Sequence, residues 1–178
     1  MPSGKLPAMH VSELPDRSQD YLKKIYDLQE WGRAGSGEAG GASLSTLAAE
    51  LDQRRSTASE AVKRLVAEGL VLHAPYGDIT LSEKGRLLAL QMVRRHRLLE
   101  TYLQRELGYG RDEVHDEAEV LEHAVSDLFI SRIDAAMGHP DRDPHGDPIP
   151  DPDGRVTESV TVPLSDAGVG DRLLVDRV

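Results

Sequence analysis

Apolar positions along the chain recur with two periods, and their order predicts the elements. From Ser18, a reasonable N-cap, Tyr21, Leu22, Ile25 and Leu28 keep helical spacing, so a helix is predicted over about 18–31, stopped by Gly32. Leu44, Leu47, Ala48 and Leu51 share one face of a short helix over 43–51. A tight break at Asp52-Gln53-Arg54-Arg55 leads to a third helix, capped by Ser56 and running through Glu68 to Gly69, with Ala58, Ala61, Val62 and Leu65 inward. Stretches 70–73 and 78–81 flank Ala-Pro-Tyr-Gly and read as a two-stranded hairpin. Helical spacing returns after Ser82 in a long segment to about Leu107, with Leu88, Met92, Leu99 and Leu103 as its buried stripe. Gly108 and Gly110 break it. Further helices follow from Val114 and over 126–137, the latter with Leu128, Ile130 and Ile133 as apolar positions.

Two short helices with a tight turn, the second polar and basic outside, followed by a hairpin, form the pattern of a winged helix-turn-helix. The expected fold is mainly α: residues 1–17 a flexible arm, 18–82 the winged helix-turn-helix, 83–139 a helical domain. Residues 35–41 are glycine-rich but lack the Lys-Ser/Thr ending of a phosphate loop and follow a helix, so they read as a connector. Prolines 140, 144, 148, 150 and 152 mark 140–154 as a linker rather than a packed element. Stretches 159–164 and 172–178 alternate like strands, and two strands cannot hold a domain together, so 155–178 is expected to open a small β domain that is incomplete here.

Charge changes this picture more than composition does. With 29% charged and 39% hydrophobic residues the chain is ordinary for a globular protein, and no cysteine is present, so a metal site must use nitrogen and oxygen donors. The net charge of −10 conceals an asymmetry: residues 54–97 carry +5 and residues 98–153 carry −11. A basic segment followed by an acidic one suits a nucleic-acid module joined to a cation-binding module. No apolar run approaches the roughly 20 residues of a membrane span, and no signal pattern opens the chain, so the expected compartment is the cytoplasm.

The acidic part contains the candidate chemistry. In Val114-His-Asp-Glu-Ala-Glu-Val-Leu-Glu-His, a helix gathers His115, Glu119, Glu122 and His123 into an arc of roughly 100° beside the apolar stripe of Val114, Ala118, Leu121 and Val125. His96 and Glu100 repeat the His/Glu spacing one turn apart in the long helix, and facing helices that carry such groups suit a divalent metal. Two other readings stand beside this one. A carboxylate-bridged di-metal oxidoreductase would need a Glu-x-x-His pair on each of two helices, which the chain lacks. A winged-helix regulator could instead use its acidic half for a protein or small molecule, with metal incidental. No nucleophile–base pair is recognisable, so neither catalysis nor a small-molecule substrate is expected. His10 and His73 read as surface residues, and His139 and His145 lie in the proline-rich stretch.

Asp20-Tyr-Leu-Lys-Lys-Ile-Tyr, Arg95-His-Arg-Leu-Leu-Glu, the Val114–His123 motif and Asp143-Pro-His-Gly-Asp-Pro-Ile-Pro closely resemble the diphtheria toxin repressor family over about residues 18–152, most of all its manganese-responsive branch, the manganese transport regulators. The resemblance implies a metal-dependent repressor that binds palindromic operators of metal-uptake genes as a homodimer, with an SH3-like third domain. It implies a primary site of Asp20, Glu119, Glu122 and His123, with the Glu119 carbonyl as a further donor, and an ancillary site of His96, Glu100 and His115. The iron-responsive branch has Met where this chain has Asp20 and Cys where it has Glu119. These hard carboxylates favour Mn²⁺ by ligand type, with Fe²⁺ the alternative. Lys23 departs from members that place a second acid there, which speaks against their two-metal cluster. On the DNA side, Arg54, Ser56 and Glu60 align with base-reading positions, and Arg55, Thr57, Ser59, Lys63 and Arg64 complete the DNA-facing set, although Glu60 can equally pair with Lys63 or Arg64 on its own helix.

Overall fold

The computed structural model describes residues 9–36, 40–74, 77–157, 166–170 and 172; for residues 31–36 only the backbone is described. Among the described residues the element order is a 3-10 turn (Val11–Glu13), α1 (Asp16–Ser36), α2 (Leu44–Glu50), α3 (Arg55–Ala67), β1 (Val71–His73), β2 (Ile79–Leu81), α4 (Glu83–Leu107), α5 (Val114–Ala124) and α6 (Asp127–Ala136). Strands β1 and β2 pair antiparallel with Leu72 opposite Thr80, and Ala42 bridges the other edge of β2 at Ile79. This is a winged helix-turn-helix followed by a helical unit. The alternating stretches expected at 159–164 and 172–178 fall almost wholly outside the described residues.

The apolar side chains form two clusters, and α4 belongs to both. Its first half, Leu88 to Val93, packs with Leu22, Ile25, Leu47, Leu65 and Ile79; its second half, Leu98 to Leu103, packs with Val114, Ala118, Ile130 and Ile133. At about 1.5 Å rise per residue, its 25 residues make a rod of roughly 37 Å running through both modules. Ser82 caps its start by accepting from the Gly85 amide, and Gly108 ends it at φ 74°, where a side chain would be strained. Gly85 is required for another reason: a Cβ there would lie 1.9 Å from the Leu70 carbonyl oxygen, so α4 leaves the wing in direct backbone contact. The turn between α2 and α3 passes through Asp52 at φ 47°, a conformation Asp tolerates. Tyr21 pins that turn to α1 by donating to Gln53 Oε1 at 2.9 Å.

Several expectations need correction. Helix α1 begins at Asp16 rather than Ser18 and continues past Gly32 to Ser36, since one glycine costs a helix only about 1 kcal/mol. Ser56 does not cap α3; Arg54 holds the N-cap position without a side-chain cap bond. The arm is packed near its end. Val11 is buried, its amide donates to Gln91 Oε1 on α4, and His10 accepts from the Ser12 amide as a capping box. Of the three apolar positions noted on α6, Ile130 and Ile133 are buried and Leu128 is 65% exposed.

The proline-rich stretch is also packed, with Asp143, Pro144, Pro148, Ile149 and Pro150 buried. Proline loses its amide donor but keeps a carbonyl acceptor. Arg97 of α4 donates to the Pro148 carbonyl at 2.6 Å and Arg94 to the Pro150 carbonyl at 2.7 Å, while Arg111 donates to the Pro144 carbonyl. Asp143 Oδ1 accepts the amides of His145 and Asp147, which closes the turn.

Candidate metal centre and DNA-binding face

Two clusters of potential ligands stand side by side where α1, α4 and α5 meet. The first joins Asp20 of α1 to Glu122 and His123 of α5; the second joins His96 and Glu100 of α4 to His115 of α5. In each, the donor atoms lie within 4.8 Å of one another. Residues 103 apart in sequence thus come into contact: His123 Nε2 stands 2.8 Å from Asp20 Oδ1.

The protonation of the first cluster follows from its neighbours. Gln19, buried at the start of α1, donates its amide Nε2 to the Leu14 carbonyl at 2.8 Å, which leaves its Oε1 as the acceptor facing His123 Nδ1 at 3.2 Å. Nδ1 therefore carries a proton in either charge state, and in the neutral ring the Nε2 lone pair faces the Asp20 carboxylate. Two electron-rich atoms at hydrogen-bond distance require a positive species between them, a proton or a metal ion. Burial pushes the Asp20 carboxyl up, against the pull of His123 and Lys23. This donor set fits a hard divalent ion.

In the second cluster His96 Nε2 lies 3.0 Å from Glu100 Oε1 and 3.2 Å from His115 Nδ1, and His115 Nδ1 lies 3.2 Å from the same Glu100 oxygen. His96 turns its other nitrogen to Glu122 Oε2 at 2.6 Å. Burial and the Lys23 charge push the imidazole pKa down, but the bonds to Glu100 and Glu122 outweigh them and raise it to about 9. Burial would raise the Glu100 carboxyl, yet His115 and His96 hold it far below the usual carboxylate range. The carboxylate–imidazole arrangement is the one that orients a metal-binding histidine.

Glu119 stands apart from the first cluster. Its carboxylate is half exposed and lies 3.5 Å from His115 Nε2 and 3.6 Å from Lys23 Nζ. Lys23, 6% exposed, reaches Glu122 Oε1 at 2.5 Å and His96 Nδ1 at 3.4 Å. Its burial is compensated by Glu122 and Glu119, which lift the ammonium pKa above its ordinary value. Arg95 completes the frame by donating to the carbonyls of Glu122 and Val125 at the C-terminal end of α5 and pairing with Asp127. Gln19 and Arg95 were not among the candidate residues. For Gln19 the signal was faint: it is a polar residue one turn before Lys23, beside the apolar face of α1.

In the winged module, α3 presents Arg55, Ser56, Thr57, Glu60, Lys63 and Arg64 to solvent with Arg54 just before them, while Ser59 is partly buried. Glu60 is paired with Lys63 at 2.8 Å, which holds its carboxyl below the ordinary range. Of the other histidines, His73 is exposed, His10 lies 3.6 Å from Asp127, and His139 Nδ1 lies 2.9 Å from Asp134 Oδ2, a carboxylate oxygen that can only accept. No helix among the described residues is long and apolar enough to cross a membrane.

Comparison with known proteins shows the family of the chain. Residues 13–79 match the iron dependent repressor N-terminal DNA binding domain, and residues 82–151 match the iron dependent repressor metal binding and dimerisation domain. The chain is 32% identical over 166 residues to the diphtheria toxin repressor of Corynebacterium diphtheriae, covering 93% of this chain and 68% of that protein. It is 36% identical over 140 residues to the iron-dependent repressor IdeR of Mycobacterium tuberculosis, covering 79% of this chain and 58% of the relative, so the chain spans less than two thirds of that protein's length. A solved manganese-dependent transcriptional repressor in complex with manganese is 52% identical, with a TM-score of 0.83 over 90% of this chain and 71% of that one. The chain belongs to the iron-dependent repressor family, whose members include the diphtheria toxin repressor.

Proposed function

We propose that this chain is the DNA-binding and metal-sensing part of a metal-dependent transcriptional repressor, with Mn²⁺ the favoured ion, acting as a homodimer on palindromic operators of metal-uptake genes in the cytoplasm. One observation carries the reading: Asp20 of the winged module and His123 of the helical module meet at 2.8 Å with Glu122 beside them. A bound divalent ion supplies the positive charge this set requires. Asp20 then ties α1, and with it the winged module, to Glu122 and His123 on α5. Gln19 fixes the His123 tautomer that leaves Nε2 available, and Arg95 holds the end of α5 that presents both residues. An ion shifts the equilibrium toward the tied form only by its preference for that form.

The remaining chemistry follows from what the family domains do. Exposed Arg54, Arg55 and Arg64 suit base edges and phosphates, Ser56, Thr57 and Ser59 suit backbone contacts, and the Glu60–Lys63 pair opens when Lys63 takes a phosphate. Leu107, Val120, Leu128 and Phe129 are exposed apolar residues on α4, α5 and α6, and a second copy would cover them. A two-fold dimer places two recognition helices about 34 Å apart, one turn of B-DNA. His96, Glu100 and His115 form the second, ancillary site. All candidate donors are oxygen or nitrogen, which supports Mn²⁺; the iron-dependent naming of the mycobacterial relative supports Fe²⁺ as the alternative.

The test is selection from a random duplex pool with micromolar Mn²⁺, followed by anisotropy titrations with Mn²⁺, Fe²⁺ or chelator. Metal-dependent binding to a palindrome, lost in Asp20→Ala, is expected. Equal affinity in chelator would overturn the metal dependence, and an unimpaired Asp20→Ala protein would overturn the tie between modules.

A further inference from the structure

We propose that the cavity walled by α4, α6 and the proline-rich stretch is a binding site for a small aliphatic ammonium ion. The cavity has a volume of about 990 Å³, and none of the candidate metal ligands lines it. The inference therefore stands apart from the metal reading above. Apolar walls come from both halves of the molecule: Val11 belongs to the first apolar cluster and Val156 packs against it, while Ile130 and Ile149 belong to the second. An occupant would touch both clusters at once.

Asp134, 6% exposed, lines this cavity from α6. Its Oδ2 accepts from Arg94 at 2.7 Å and from His139 Nδ1 at 2.9 Å, while the equally buried Oδ1 has no partner among the described residues. A buried carboxylate oxygen that accepts nothing calls for a donor. His139 is brought to Asp134 by an uncommon backbone: Gly138 and His139 take φ 75° and 57°, and the His139 amide donates to the Asp134 carbonyl at 2.9 Å. Since a carboxylate only accepts, Nδ1 of His139 carries the proton, and in the neutral ring Nε2 is a further acceptor. The arginines of the lining are already engaged. Arg94 also serves the Pro150 carbonyl, Arg95 serves Asp127 and two carbonyls of α5 and its cap, and Arg155 serves Asp151. Four aspartates stand against three arginines around the cavity, so with neutral histidines its charge is negative. Unfilled acceptors, a negative wall and aliphatic side chains together select a ligand with N–H donors, a positive charge and a methylene body. An ammonium on a short alkyl chain has all three.

Calorimetric titration of the full chain with putrescine in chelator tests this, with thermal unfolding followed by circular dichroism. One saturable site per chain is expected, with a Tm that rises as ligand is added. Ser131 lines the cavity and is exposed, so Ser131→Trp fills the space while leaving every Asp134 contact in place. It should weaken binding about tenfold or more, as should Asp134→Asn; if Asp134→Asn does not fold, Ser131→Trp decides. No saturable binding to the native chain overturns the proposal. So does undiminished binding to folded Ser131→Trp, which would place the amine at another acidic surface such as the Asp20 cluster. Equal affinity for the uncharged diol of the same length would overturn the assignment to an ammonium ion.

Discussion

His96 offers the sharpest quantitative test, because its two nitrogens face two carboxylates inside the protein. Its pKa is raised from 6.5 to about 9. A group whose folded pKa is raised contributes stability that is complete below the unfolded value and is lost as pH rises through the folded one. The window is therefore pH 6.5 to about 9. At 1.36 kcal/mol per unit, the metal-free protein should lose at most about 3 kcal/mol across it. The lowered Glu100 and Glu122 pKa values are largely the same interactions seen from the other end, so the contributions are not added.

Urea unfolding in chelator at pH 6, 7.5 and 9.5 measures this directly, with His96→Gln as the reference that retains the other titrating groups. The native protein should fall relative to the variant as pH rises. The same proton has a second consequence. An ion held by His96 Nε2 must displace it, so near pH 7 about one proton should leave for each ion entering the His96–Glu100–His115 cluster, and apparent affinity should rise about tenfold per pH unit until it levels near 9. Calorimetry in buffers of different ionisation enthalpy counts that proton. A stability difference that stays flat from pH 6.5 to 9.5 would refute the coupling of His96 to its two carboxylates.

Three further outcomes follow from single contacts. Gln19→Leu removes the acceptor that fixes the His123 tautomer and should weaken Mn²⁺ binding about 10- to 100-fold with the helical circular dichroism signal intact; unchanged affinity would show the tautomer is set elsewhere. Gly85→Ala drives a methyl group into the Leu70 carbonyl and should cost about 1–3 kcal/mol in thermal or urea unfolding; an undiminished Tm would mean α4 can back away from the wing. Arg54→Ala should cost about 1–3 kcal/mol on the selected operator and relax preference at one base pair, whereas Lys63→Ala should weaken all sequences alike and lower the salt slope by about one; identical effects on operator and random DNA would remove Arg54 from base reading.

Helical and strand periods carried the architecture because each element buries a face, and a buried face writes itself locally. Leu88, Met92, Leu99 and Leu103 sit where the period placed them on α4. Helix ends were less legible: Gly32 costs less than the neighbouring turns gain, and Leu128 shows that an apolar residue at helical spacing need not be inside. The proline-rich stretch misled for a physical reason. Composition reports the missing amide donors, whereas its packing depends on carbonyl acceptors and on Arg94 and Arg97, some fifty residues away.

The candidate site divides along the same line. His96 and Glu100 are one turn apart, as are His115 and Glu119, so their clustering on one helix face is a local property that spacing can express. Lys23 against Glu122 is a contact between residues 99 apart, and Gln19 against His123 spans 104. Such pairs leave only an indirect trace: a polar residue facing inward that no residue on its own helix can satisfy. The partner then has to come from elsewhere in the chain, and here both partners come from α5. Helix α5 therefore joins the winged module to the helical one through these contacts, and they are made to the residues best placed to hold the metal. A change that alters metal affinity, at Gln19, Lys23 or His123, should on this account alter the stability of the metal-free protein as well.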